Sequence, residues 1–145
     1  MELGIIGAGN MGSSILKGVT TSNFLLSDDV AVFDLNKEKV EKLVKEYGVK
    51  RAETENELVE KSNIIILSVK PNIVPIVLKK IKDKLDENTI ILSIAAGISI
   101  DFIEKIIGSD KKVVRTMPNT PAQVMELFPL IQTLKKMRRK LFLNC

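Results

Sequence analysis

The chain contains no histidine and no tryptophan, and its single cysteine, Cys145, is the last of 145 residues. One thiol cannot close an internal disulfide. One thiol without histidine cannot build the usual zinc site or a Cys-His catalytic pair. Long apolar runs are also missing: none approaches the roughly 18 residues that span a bilayer, so a membrane-embedded chain is not expected. Met1-Glu2-Leu3 leads straight into an apolar segment, with neither a basic leader region nor a small-residue cleavage site, and a cytoplasmic location is the expectation that follows. The body lacks an excess of either charge. Residues 1 to 126 carry 17 basic and 18 acidic side chains, a net of −1, and the formal +4 of the whole chain comes from Lys135, Lys136, Arg138, Arg139 and Lys140. The body therefore gives no electrostatic reason to expect a nucleic-acid partner.

What is present fits one ordinary domain. The chain is 45% hydrophobic and 28% charged, which suits a globular fold with its own core. Short β-branched runs at 2 to 7, 30 to 34, 63 to 69, 89 to 94 and 111 to 115 read as strands, the apolar ones buried on both faces. Helical patterns fall between them at 11 to 20, 36 to 47, 72 to 84 and 99 to 107. Thr54 followed by Glu57 has capping-box spacing and predicts a short helix before the strand at 63 to 69. Gly48 and Gly108 stand where helices should stop, and Ser99 where one should start. Alternating strands and helices predict a doubly wound, mainly parallel α/β sheet of the Rossmann-like kind, because parallel strands need crossover helices.

Gly7-Ala8-Gly9-Asn10-Met11-Gly12 fits G-x-G-x-x-G and lies between the first strand and the first helix. In that position Gly7 makes the turn, Gly9 lets a pyrophosphate approach the backbone, and Gly12 lets the helix pack closely. Asp34 ends the second strand 22 residues after Gly12, near the spacing of a ribose contact. A carboxylate there accepts from an unmodified 2′-hydroxyl and repels a 2′-phosphate, which favours NAD. Asn36 and Lys37 open the next helix, where amides, dipole and ammonium could together hold a phosphate, which favours NADP. The bland alternatives are a plain helix cap for Asn36 and a solvated charge for Lys37. The cofactor is expected to be NADP or NAD.

Three further motifs end strands: Ser68-Val69-Lys70-Pro71, Ser93-Ile94-Ala95-Ala96-Gly97, and Arg115-Thr116-Met117-Pro118-Asn119-Thr120-Pro121-Ala122. With GAGNMG, and in this order and spacing, they closely resemble the pyrroline-5-carboxylate reductases, from residue 2 to about residue 126. The last motif is the most specific. Ser68 stands where that family usually has alanine. The resemblance implies reduction of 1-pyrroline-5-carboxylate to L-proline by NADPH or NADH. It implies that Ile6, Gly7, Ala8, Gly9, Asn10 and Met11, together with Ser68, Val69, Lys70 and Pro71, line the cofactor, with Asn36 near the adenosine ribose. Family members carry an asparagine that contacts adenosine before the strand at 63 to 69, and Asn56 is the nearest match, offset by one position. Gly97 and Asn119 would lie near the nicotinamide. The reaction suits a chain without histidine, because a protonated cyclic imine accepts hydride once it is positioned; no catalytic residue is assigned.

The family continues with a helical C-terminal domain that supplies much of the substrate site and the dimer interface, whereas Leu127 begins LFPLIQTLKKMRRKLFLNC. The expected division is a dinucleotide-binding domain at 1 to 126 and a divergent basic tail at 127 to 145. The tail reads either as a natural basic amphipathic helix at 130 to 142 or as the product of a frameshift or premature stop. In the second case it is expected to be poorly ordered or to lie over apolar surface meant for the missing domain. Three other functions stay open: a non-catalytic dinucleotide-binding module, a β-hydroxy-acid dehydrogenase domain, and, on the tail alone, a membrane-surface or nucleic-acid binder.

Overall fold

A computed structural model describes residues 1 to 118 and 120 to 143. Strand β1 (Leu3–Ile6) is flanked by β2 (Val30–Phe33) and β4 (Ile64–Leu67), with β5 (Ile90–Ser93), β6 (Lys112–Arg115) and the two-residue β3 (Lys50–Arg51) completing one sheet. Its order is β3-β2-β1-β4-β5-β6, and every pairing is parallel. The chain starts in the middle, winds to one edge, then returns past β1 to the other. Helices α1 (Asn10–Thr21), α2 (Lys37–Tyr47), α3 (Glu55–Lys61), α4 (Val74–Ile81) and α5 (Ile100–Ile107) make the crossovers.

Period-two geometry divides the strand side chains between two cores. Leu3, Ile5, Val30, Val32, Ile64, Ile66, Ile90 and Leu92 face α1 and α2. Ile6, Ala31, Phe33, Ile65, Leu67 and Ile91 face α3, α4 and α5. All four central strands are buried along their whole length, which is why they read as unbroken apolar runs rather than as alternation. Each predicted strand is one to three residues shorter in the structure, a difference confined to the strand ends. The helix expected at 72 to 84 begins at Val74, with Pro75 in its first turn, and tightens to a 3₁₀ turn at Lys82–Lys84.

The helix ends follow the side chains at them. Asn36 caps α2 by accepting from the Glu38 and Lys39 amides at 3.1 and 3.3 Å, and Gly48 closes it, its N–H donating to the Val44 carbonyl. Ser99 Oγ accepts from Phe102 N at 3.1 Å. Thr54 Oγ1 accepts from Glu57 N at 3.0 Å, but Glu57 Oε2 accepts from Glu53 N at 2.9 Å, one residue before the cap, so the box closes one position earlier than the usual pattern. That Glu53 amide, and next the Lys61 ammonium, hold the Glu57 carboxyl below the usual carboxylate range. Because its pKa is depressed in the fold, its contribution is present at neutral pH and fades as pH falls through that lowered value. Glu57→Gln is therefore expected to lower the melting temperature at pH 7, with the gap closing as the medium is acidified. A gap of constant size across that range would show that the charge is not what acts.

Strand β3 was not among the runs read from the sequence. Its two exposed, charged residues pair with Ala31 and Val32 at the sheet edge, where short length and charge discourage further pairing.

The remaining helices, α6 (Pro121–Val124) and α7 (Leu127–Leu143), lie on the α1 side. Leu127, Phe128, Ile131 and Leu134 are buried in that core. The Phe128 ring stacks on Phe24 with centroids 5.6 Å apart and fills the space above Gly18, where any β-carbon would strike it. Lys135 Nζ reaches Glu2 Oε2 at 3.5 Å. Of the two expectations for the tail, lying over apolar surface describes its placement through Lys135. Among the described residues, no helix is long and apolar enough to cross a membrane.

Candidate functional site

The strand order reverses between β1 and β4, so the crossovers leaving these two neighbours go to opposite faces and open a crevice at their carboxyl ends. The glycine turn sits there. Gly7 has φ +109°, and a β-carbon on it would run into the Ser68 carbonyl oxygen at the end of β4. One on Gly12 would run into the Gly7 carbonyl oxygen. Both positions are closed to larger residues because the turn, α1 and β4 are in backbone contact. Gly9 differs: a β-carbon there meets nothing within 4 Å. It is also the N-cap of α1, and no side chain caps that helix, so its first-turn amides lack an internal acceptor.

A cleft of about 360 Å³ extends from this turn across the end of β4 to α4, within the size range of small-molecule sites. Ile6, Gly7, Gly9, Asp34, Ser68, Val69 and Lys70 line it. A second, shallower hollow of about 310 Å³ lies between α1 and α2, reached by Ala8, Gly9 and Asn10. Lys39 lies on both. Asp34 also borders a much smaller hollow with Lys37 and Arg51.

The structure gives Asp34 a job that spacing could not reveal. Its Oδ2 accepts from Ala8 N at 2.7 Å and its Oδ1 from Asn36 N at 2.8 Å, tying the glycine turn to the start of α2. Gly7 N donates to Phe33 O at 2.8 Å, and Ser68 N donates to Ile6 O at 2.8 Å. The turn is thus held from both neighbouring strands.

The other motifs fall along the same edge. Ser93 pairs with Arg115 in the β5–β6 register, and Thr116 N donates to Ser93 O at 3.0 Å. Thr120 Oγ1 caps α6 by accepting from Gln123 N at 3.2 Å. Four motifs separated by up to about 100 residues therefore come to β1, β4, β5 and β6, a span of about 14 Å at three strand spacings.

Several predicted residues stand apart from the main cleft. Met11 is half-buried against the α1-side core. Gly12 shapes the turn from beneath, and Asn36 spends its side-chain oxygen on the cap of α2. Pro71 begins the turn into α4, its carbonyl accepting from Val74 N. Gly97, with φ +72°, ends the β5 motif, and a β-carbon added there would meet nothing within 4 Å. Asn56 does not line the cleft; its neighbour Glu55 does, and Lys80 Nζ lies 3.6 Å from Glu55 Oε1 across that end. Asn119 lies outside the described residues.

Sequence reading missed the apolar wall: Leu35, Ile73, Ile76 and Val77. Leu35 is 80% exposed and Ile76 51% exposed, uncommon for such side chains. The available signal was Leu35 directly after the acidic residue, in a loop where a leucine has no core to enter.

A parallel sheet in this order, a glycine turn at its reversal point and an acid closing β2 define a dinucleotide-binding domain of the Rossmann type. The chain belongs to the family described as NADP oxidoreductase, coenzyme F420-dependent, whose model matches residues 2–97. Its relatives bear out the resemblance drawn from the motifs. Over 123 residues it is 38% identical to the pyrroline-5-carboxylate reductase of Escherichia coli strain K12, covering 85% of this chain and 46% of that protein. Among solved structures it is similar to a pyrroline-5-carboxylate reductase from Coxiella burnetii, with TM-score 0.79 and 27% identity over 85% of this chain and 46% of that one. It is also similar to the Plasmodium falciparum pyrroline carboxylate reductase with NADP bound, with TM-score 0.74 and 31% identity over 86% and 44%. The chain spans about half the length of the relatives it matches.

Proposed function

We propose that this chain binds NADH or NADPH in the β1–β4 cleft and is the cofactor half of an enzyme that reduces 1-pyrroline-5-carboxylate to L-proline, the last step of proline biosynthesis. The observation that carries the reading is the glycine turn, clamped by Asp34 and by β4, beside open space at Gly9. That space fits a pyrophosphate, since α1 offers uncapped first-turn amides to it.

Residue roles follow from position. The turn from Gly7 to Gly12 receives the pyrophosphate, Asp34 the adenosine ribose, and Leu35 with Ile76 flank the adenine. Ser68, Val69 and Lys70 carry the cofactor across the end of β4 toward Gly97. Bound dihydronicotinamide supplies the hydride. Delivered to the imine carbon, it would leave a C–N single bond on a nitrogen already protonated from solvent or a donor. The protein's task is to hold the two partners in contact and limit water.

We assign residues 1 to 126 to the family's dinucleotide-binding unit and residues 127 to 145 to a divergent appendage, and expect a cytoplasmic location and a homo-oligomer for the full-length family member. The second domain would complete the substrate site. The 145-residue chain is therefore expected to bind cofactor and turn over little. Titration calorimetry, suited to a chain without tryptophan, tests the first part: a folded sample that binds neither NADH nor NADPH refutes it. Proline formation at a rate comparable to a full-length reductase would refute the second part. One observation favours another reading, a non-catalytic dinucleotide-binding module: α7 packs into the core as an integral helix. Cofactor binding with no detectable proline formation, even when the separately produced second domain of a relative is added, would support it.

A further inference from the structure

Building on that reading of the cleft, we propose that this chain selects the unmodified ribose, binding NADH in preference to NADPH, and that Asp34 is the residue that decides it. The Asp34 carboxylate is held at both oxygens, by Ala8 N at 2.7 Å and by Asn36 N at 2.8 Å. It lines the cleft beside the glycine turn. To move away from an incoming phosphate it would have to release both amides, one of them on Ala8, which is buried. A buried amide without an acceptor is costly. The carboxylate therefore stays where it is. Each oxygen keeps a free lone pair for a ribose hydroxyl, which donates, whereas a 2′-phosphate brings about two negative charges and only acceptors at neutral pH.

Most of the groups that could offset this repulsion are paired or lie off the main cleft. Asn36 Oδ1 occupies the Glu38 and Lys39 amides at the start of α2, and Glu38 adds an acid to that first turn. The Arg51 guanidinium is paired with Glu41 at 3.1 Å and with Glu53 at 2.8 Å. Lys37 borders the small hollow on the Arg51 side of Asp34 rather than the main cleft. Lys80 is opposed by Glu55 at 3.6 Å, and Lys70 stands at the β4 end, beyond the turn. Among the described residues, Lys39 remains as the cation at this end of the cleft, exposed on its rim. A single mobile ammonium facing a fixed carboxylate does not make a phosphate site. The two open possibilities for the start of α2 thus separate: Asn36 acts as a cap, and Asp34 governs the ribose.

The test is calorimetric titration of the full 145-residue chain with NADH and NADPH, and with AMP and adenosine 2′,5′-bisphosphate as probes of the ribose end alone. NADH and AMP are each expected to bind at least about tenfold more tightly than their 2′-phosphorylated counterparts, since a like-charge juxtaposition is the discriminating element. Asp34→Asn keeps an acceptor for one of the two amides and removes the charge. It is expected to bring the two affinities of each pair within about threefold, with the 2′-phosphorylated ligand gaining, while a thermal melt confirms that the variant folds. The proposal is overturned if the parent chain binds NADPH as tightly as NADH, or if Asp34→Asn leaves the ratio unchanged. Binding of none of the four ligands by a folded sample would instead overturn the dinucleotide reading beneath it, so the two failures are distinguishable.

Discussion

A chain ending at Glu126 is expected to lose most or all of its folding stability. Leu127, Phe128, Ile131 and Leu134 are each at most 6% exposed, within the same core as β1 and α1. Burying a side chain of this kind contributes about 1.5 to 3 kcal/mol. The four together contribute about 6 to 12 kcal/mol by area, an upper estimate that still matches the whole stability of an ordinary domain, about 5 to 15 kcal/mol. Removing them also uncovers Gly18, Phe24 and Val124. A thermal melt by circular dichroism, with size-exclusion chromatography, measures the outcome: no cooperative transition, or aggregation, for the shortened chain. If it melts within about 5 °C of the full chain, the α7 contacts contribute little. Ile131→Ala provides the finer reading, an expected loss of about 2 to 5 kcal/mol in denaturant titration. These results would also decide whether residues 1 to 126 stand alone as a folding unit.

The second large effect separates binding from folding within one loop. Gly9→Val is expected to melt within a few degrees of the parent, because the added β-carbon meets nothing within 4 Å and the native φ of −73° suits any residue. Its isopropyl group enters the space assigned to the pyrophosphate, and cofactor affinity should fall by about a hundredfold or more, roughly 2.7 kcal/mol. Gly12→Val reverses the pattern. Its side chain collides with the Gly7 carbonyl, so the loss should appear first in the melting temperature. Unchanged cofactor affinity in a folded Gly9→Val protein would remove the pyrophosphate from this loop and with it the proposed function.

The parts of the fold legible in the sequence are those governed by local chemistry or by burial on both faces. Ile64-Ile65-Ile66-Leu67 cannot be a half-exposed strand. Thr54, Ser99 and Asn36 each cap a helix through their own side-chain oxygen. The glycine turn was legible because only glycine tolerates the contacts at positions 7 and 12. Strand β3 was not, since nothing in Lys50-Arg51 favours a strand except the open edge of β2 beside it. Glu55 was displaced by Asn56 in the sequence reading because a one-residue offset on a helix turns a side chain through about 100°, and only the packed helix shows which of the two faces the cleft.

By itself the sequence determined the parallel sheet, the place of the glycine turn and the family, because apolar runs, caps and the MPNTPA loop depend on residues close together in the chain. The tertiary structure alone decided what Asp34 holds, which wall Leu35 and Ile76 form and where the tail lies. Each of those joins segments from different crossovers, and such contacts exist only after the sheet has brought its strand ends side by side.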